Sequence, residues 1–329
     1  MNGVNINHFQ FEYDLTWMSF FQNHEGRTYT RYGGREDTAA ESHVNKTSLI
    51  ATMKKAMELH KSGTLKPISK YDPLPESIAI ADDLPGVKKL QARRKESCIH
   101  CHEVKAFQLK VLRTDNKLTK SMVFTYPSPK TLGIAIDSKD QTLIKSVVEK
   151  SPAAKAGLQP NDRIQQVDNQ SVFTFADTTR VLELAPTGAA QLSIRIKREG
   201  KSIDTKLELA DGWKTTGDPS WRESTHVVGP NSGFWGKRLT STQRKSNNID
   251  EGKLGLRITV IWGQWTREAK LRNGDIIVSI DGKTDDFGIK QLQTYLQMNR
   301  NWGDSVVFKV LRNGKPVSLT MNLPKTPTE

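Results

Sequence analysis

The only two cysteines of the 329-residue chain fall in the run Cys98-Ile99-His100-Cys101-His102. Two thiols separated by two residues and followed at once by a histidine form the C-x-x-C-H pattern of covalent haem attachment. In that chemistry Cys98 and Cys101 form thioethers to a haem c, and His102 stands as the proximal iron ligand and metal-binding residue. Met122 is the best candidate for the sixth ligand, against the plainer reading of a core methionine. A dithiol redox pair and a zinc site compete for the same residues. Arg93 to Ser97, ahead of the motif, do not read as the buried strand that a thioredoxin-type dithiol requires. A structural zinc site normally draws a second ligand pair from further along, and no such pair appears. A structural disulfide over so short a loop constrains little chain, so the order of preference is haem c, dithiol, zinc. His8, His24, His43, His60 and His226 lack ligand spacing and are expected at the surface.

A second local signal, Gly229-Pro230-Asn231-Ser232-Gly233, has the letters of a protease serine loop. A chymotrypsin-like domain needs two β-barrels ahead of that serine, and the preceding sequence reads as a different kind of domain. A turn is expected there, and no residue set qualifies as a catalytic site.

Composition narrows the classes. Hydrophobic residues make up 36% and charged residues 26%, and the mean hydropathy is −0.58, which describes a globular chain with no apolar stretch of membrane-spanning length. The formal charge of +13 and pI near 9.6 attract polyanions. The basic residues are scattered, however, and no helix-turn-helix, zinc-finger or RNA-recognition signature accompanies them. A solvated basic surface is expected, and specific nucleic-acid binding is not. Met1 to Gln10 shows neither a basic nor an apolar leader segment.

The elements that must position these residues read as an α+β multidomain chain. Residues 1–66 hold a hairpin over Leu15 to Gly34, turning at Asn23-His24-Glu25-Gly26, and a helix capped by Thr47 or Ser48. Its apolar positions are Leu49, Ile50, Met53, Ala56 and Met57, and Gly63 is its stop. Residues 67–128 carry a proline-rich linker (Pro67, Pro73, Pro75, Pro85) and the short helical C-x-x-C-H segment, closed by Tyr126-Pro127-Ser128-Pro129. Residues 129–212 and 251–329 repeat one another, and the aromatic linker 213–250, with Trp213, Trp221, Phe234 and Trp235, is expected to pack onto a neighbouring domain. In the repeat, Leu132-Gly133-Ile134 aligns with Leu254-Gly255-Leu256, Asn161-Asp162-Arg163-Ile164 with Gly274-Asp275-Ile276-Ile277, and the turns Arg198 to Lys201 and Arg312 to Lys315 with each other.

These motifs, with Ser151-Pro152-Ala153-Ala154 and Ala156-Gly157-Leu158 before Asp162, resemble PDZ domains of the bacterial high-temperature-requirement protease type: small β-barrels or sandwiches with two helices each. The resemblance implies that the Leu132-Gly133-Ile134 loop receives a C-terminal carboxylate, that the strand after it takes an extended peptide by β-augmentation, and that Phe175 and Thr179 face the groove. Leu254, Gly255 and Leu256 take the loop's place in the second copy, where Ile261-Trp262-Gly263-Gln264-Trp265 departs from the pattern. The N-terminal hairpin and helix resemble the C-terminal half of a thioredoxin fold, with Thr16 where that family carries proline. The whole chain resembles a family of PDZ proteins with a thioredoxin-like N-terminal part from planctomycete-type bacteria. That resemblance implies an extracytoplasmic (periplasmic) scaffold, not a protease, that carries haem c and binds protein C-termini or extended peptides. The alternative is an electron-transfer or thiol-redox protein whose PDZ domains recruit the partner.

Overall fold

The computed structural model describes residues 1–37, 39–63, 77, 79–93 and 98–325. Three of the four linker prolines, Pro67, Pro73 and Pro75, lie outside them. The chain divides into two compact units, Met1–Val111 with Leu118–Gly217, and Leu112–Lys117 with Asp218–Glu329.

The first unit opens with the antiparallel hairpin β1 (Met18–Gln22) and β2 (Thr28–Gly33). Its turn closes on Asn23, whose side chain accepts from the backbone N–H groups of Glu25 (3.0 Å) and Arg27 (2.9 Å), the local bonding that favours asparagine in turns. Helix α1 (Lys46–Ser62) is capped by Asn45, which accepts from Ser48 N–H at 3.0 Å, and stops at the left-handed Gly63. The apolar periodicity predicted a buried face that the structure rotates. Ser48, Thr52 and Ala56 are buried, while Ile50, Met53 and Met57 are exposed. Polar anchoring decides this: the buried Tyr32 hydroxyl donates to Asn45 O at 2.7 Å and meets Ser48 Oγ at 2.8 Å. Helices α2 (Val87–Arg93) and α3 (Cys101–Thr114) follow, and Ile99, Val104 and Val87 join Ile6, Phe11 and Tyr13 in a small core.

Next come β3 (Ile134–Ile136), β4 (Ile144–Val147), α4 (Pro152–Lys155), β5 (Arg163–Val167), β6 (Gln170–Ser171), α5 (Phe175–Leu184), β7 (Ala190–Arg198) and β8 (Lys201–Leu209). β3 pairs with β4, and a second sheet runs β6-β5-β7-β8. Ile134, Ile144, Ile164, Phe175, Leu182, Ile194 and Leu207 form one core. Trp213, read as part of the linker, packs into that core, and its indole N–H donates to Pro186 O at 3.0 Å.

The second unit contains β9 (Phe234–Arg238), α6 (Ser241–Ser246), β10 (Leu256–Ile261), α7 (Gln264–Glu268), β11 (Ile276–Ile280), α8 (Ile289–Asn299), β12 (Ser305–Arg312) and β13 (Lys315–Asn322). They form one antiparallel sheet in the order β13-β12-β11-β10-β9. Phe234, expected in a connector, is fully buried in this unit's core, whereas Trp235 is exposed. Both units close their last hairpin with two central residues at positive φ, Glu199-Gly200 and Asn313-Gly314, the turn whose twist matches the flanking strands. Both also bury an aspartate under a two-bond arginine fork. Arg198 donates to Asp162 at 2.6 and 2.7 Å, and Arg312 to Asp275 at 2.8 and 2.7 Å.

Candidate functional site

The Leu132-Gly133-Ile134 loop leaves a short 3-10 turn, Pro129–Leu132, capped by the Ser128 side chain. Gly133 has φ +84°, and a Cβ there would run into the side chain of Ser151, so glycine is required on both counts. Its carbonyl accepts the Val148 N–H at 2.9 Å. Leu132 and Ile134 are buried in the core. From the helix wall, Glu183 Oε2 accepts the Tyr126 N–H at 2.8 Å, and burial pushes the Glu183 carboxyl above its ordinary pKa.

The second unit repeats this geometry at a different place from the one the motif predicted. Gly233, at φ +70°, would drive a Cβ into Thr266, Trp265 and Gly263, and its carbonyl accepts the Trp262 N–H at 2.9 Å. Gln297 Oε1 accepts the Gly229 N–H, as Glu183 does for Tyr126. The pairs Ile144 with Asp162 O (2.8 Å) and Ile258 with Asp275 O (2.9 Å) align β10 with β4, and therefore β9 with β3. The loop of the second repeat is Ser232-Gly233-Phe234. Leu254 and Leu256 are fully buried core residues, and the Gly255 carbonyl accepts from Leu239 N–H at 2.9 Å. They lead into β10, whose two edges are already taken by β9 and β11, so this strand has no edge left for a peptide.

Residues 143–198, running from the end of the β3–β4 connection through β7, match the PDZ domain family model. Among relatives, the chain is 27% identical over 190 residues to a protein named probable periplasmic serine endoprotease DegP-like from Pseudomonas fulva, covering 55% of this chain and 37% of that one. It is 29% identical over 85 residues to the periplasmic serine endoprotease DegP of Salmonella typhimurium, covering 26% and 18%. A solved HtrA-type protease AlgW with decapeptide aligns at 19% identity and a TM-score of 0.26, over 42% of each chain. The chain thus spans well under two thirds of the length of these relatives.

In the first PDZ domain the two residues expected to face the groove are both covered. Phe175 is 2% and Thr179 7% exposed. The ring of His43, a residue expected at the surface, stacks on Phe175 at 3.7 Å and 7°; Gly34 lies so close to the same ring that a Cβ would strike it. Gln141 bridges the two, donating to His43 O at 2.7 Å and accepting the Phe175 N–H at 3.2 Å. Where α5 packs on β2, Asp177 accepts from Thr30 Oγ1 (2.6 Å) and Arg31 N–H (3.0 Å); burial nonetheless raises its carboxyl. The sequence signal for this cover is the glycine pair before Arg35, whose second member is shaped to the Phe175 ring.

In the second unit the groove is closed from within. Gln293, four residues into α8 as Thr179 is into α5, accepts the Ser232 N–H at 3.1 Å and donates to Ser232 Oγ at 2.6 Å. Gly233 N–H donates to Asn231 Oδ1 (2.9 Å) and Phe234 N–H to Ser232 Oγ (3.3 Å). Each loop N–H that would hold a carboxylate has a partner inside the domain; in the first loop the Gly133 N–H likewise donates to Lys130 O at 2.9 Å, so what sets the second apart is the Gln293 side chain from its own helix.

The thiol pair stands at the start of α3. Both cysteines are free; Cys98 is exposed and Cys101, the first residue of the helix, is half-buried. Burial pushes the Cys101 thiol up. His102 is half-buried, its ring stacked on that of His100 at 5.7 Å. Two unbonded thiols and an adjacent imidazole fit the donor set of haem c attachment. Met122 lies in the 3-10 turn Lys120–Val123, where its sulfur accepts the Thr119 N–H at 3.5 Å. Among the described residues no group of three or more His, Cys, Asp or Glu is gathered closely enough to hold a metal ion, and no helix is long and apolar enough to cross a membrane.

Proposed function

We propose that this chain is a peptide-recognition protein, not a protease, in which the first PDZ domain takes a protein C-terminus or extended segment along β3. The carrying observation is the Gly133 turn: its left-handed glycine opens onto a strand that, among the described residues, pairs with β4 alone, and a backbone edge of that kind accepts a further strand. The second domain acts as a structural member, since Gln293 already satisfies its loop. Ser232 does not serve as a nucleophile in this reading, because it is fully buried and its hydroxyl donates to Phe234 O at 2.9 Å. A periplasmic setting agrees with the names of the relatives. Fluorescence anisotropy with labelled peptides tests the reading: amidating the peptide terminus should weaken binding about tenfold, the loss of one charge-assisted contact. Equal binding of acid and amide forms would remove the C-terminal mode.

The free thiols beside His102 favour a second reading, in which Cys98 and Cys101 anchor haem c and His102 holds its iron; the haem would supply one-electron redox chemistry at the start of α3. The N-terminal hairpin and helix would then be the remnant of a thioredoxin-like half-fold. Expression with haem c maturation and export should yield a haem-sized mass increment and a Soret band, both lost in Cys98→Ala. An unmodified mass leaves the dithiol and zinc alternatives, to be separated by thiol titration and metal analysis.

A further inference from the structure

We propose that the first PDZ groove already holds an internal ligand, the acidic pair Glu36 and Asp37, and that its external ligands are peptide ends carrying an acidic side chain beside the terminal carboxylate. The inference rests on the peptide-recognition reading above and names the ligand class of that site.

The carboxylate of Glu36 meets the run that enters the Gly133 turn and the His43 ring that covers the start of α5. On the loop side Ser128 Oγ donates to it, and Lys130 Nζ lies 3.6 Å away; Lys130 also binds Asp37 Oδ2 at 2.6 Å. Ser128 and Lys130 belong to the short run that enters the Gly133 turn. On the helix side His43 Nε2 lies 3.2 Å from Glu36 Oε2, and the same His43 ring covers Phe175, the first residue of α5. The Glu36 side chain is only 11% exposed. A carboxylate so enclosed is costly unless paired, and here a hydroxyl, an ammonium and an imidazole converge on it. Burial alone would raise its carboxyl, yet the His43, Ser128 and Lys130 contacts outweigh that and hold it below the usual carboxylate range.

The pattern is of two carboxylates on adjacent residues, one at Ser128 and one at Lys130. A C-terminal aspartate or glutamate presents the same pair on one residue, its α-carboxylate and its side chain. The internal pair is also removable in principle. It lies 92 residues from Ser128 along the chain, outside the core of the PDZ domain, and it reaches the loop through side chains. An external peptide and the Glu36–Asp37 pair therefore compete for one site, and closure lowers apparent affinity by the fraction of molecules that are open.

The test compares two fluorescein-labelled heptapeptides with free termini, Gly-Ser-Gly-Ser-Arg-Glu-Asp and Gly-Ser-Gly-Ser-Arg-Leu-Val, on the full chain. The Glu36→Gln/Asp37→Asn variant should bind the acidic-ended probe about tenfold tighter than the unaltered protein does, and adding Lys130→Gln should abolish the gain. Equal affinity of variant and unaltered protein overturns the proposal. Preference of the variant for the Leu-Val probe overturns the ligand class and leaves the peptide groove standing; binding of neither probe overturns both. Should the variant not fold, hydrogen exchange on the unaltered protein decides: a saturating acidic-ended probe should speed exchange at residues 34–43, and unchanged exchange overturns the proposal.

Discussion

The two repeats share a loop, a helix latch and a buried aspartate, yet they close their grooves by different means. In the second unit the cover is Gln293, a residue of the groove's own helix, whose amide bonds to the loop it faces. In the first the equivalent position is Thr179, too short to cross, and the cover comes from Gly34, Glu36 and His43, far away in sequence. A plug built into the helix can leave only by rotating its side chain out of two hydrogen bonds to Ser232. A plug on a separate segment can exchange with a competing chain at the cost of its own side-chain contacts. The comparison teaches that one fold can cover its groove with a residue of its own helix in one copy and with a segment distant in sequence in the other.

The comparison can be broken or sharpened by substitution. The largest effect is expected at the shared turn: Gly133→Val and Gly233→Val should each cost about 3 kcal/mol in denaturant unfolding, from positive φ and a blocked Cβ together. A much smaller cost at Gly233 would mean that the turns are not equivalent. Next, Asp162→Ala and Asp275→Ala should cost about 2 kcal/mol each and match one another, because each removes a fork to an arginine that keeps some solvent exposure. Gln293→Leu should cost about 2 kcal/mol by leaving the Ser232 N–H buried without its partner, against well under about 1 kcal/mol for Thr179→Val. Equal costs would erase the distinction between the two covers.

The smallest effect is electrostatic and depends on pH. The folded pKa of Glu36 is depressed, so its contribution is complete above the unfolded value and is lost as pH falls through the folded value, below the ordinary glutamate range. Protection against hydrogen exchange at residues 34–43, relative to the intrinsic rate at each pH, should fall on acidification in that window, while protection around Ser232 and Gln293, a neutral closure, should not follow it. A parallel loss of protection at both loops would point to general acid unfolding.

Much of this was legible in the residues. The N-terminal hairpin, the Gly63 stop, the two Arg-x-Gly-Lys turns and the Asp162 and Asp275 positions each follow from a local bond or a positive φ that few residue types satisfy. The second groove loop was not. In the first repeat β3 and β4 are joined by the short connection 137–143; in the second, residues 239–255 intervene between β9 and β10 and carry α6. Leu254-Gly255-Leu256 copies the letters of Leu132-Gly133-Ile134 while standing one strand later, and Ser232-Gly233-Phe234 looked like an isolated turn. The face of α1 was misread for a related reason, since hydrogen bonds from Tyr32 outweighed its apolar stripe.

The sequence by itself determined the hairpin turns, the thiol spacing and the existence of the repeat, because these depend on contacts within a few residues. Only the tertiary structure decided which strand each glycine loop precedes and what covers each groove, because strand pairing joins residues tens of positions apart, as Gly236 with Ile258 and Ile164 with Ile196, Ser128 meets Glu36 across 92 positions, and no local pattern encodes which distant side chain fills a cleft.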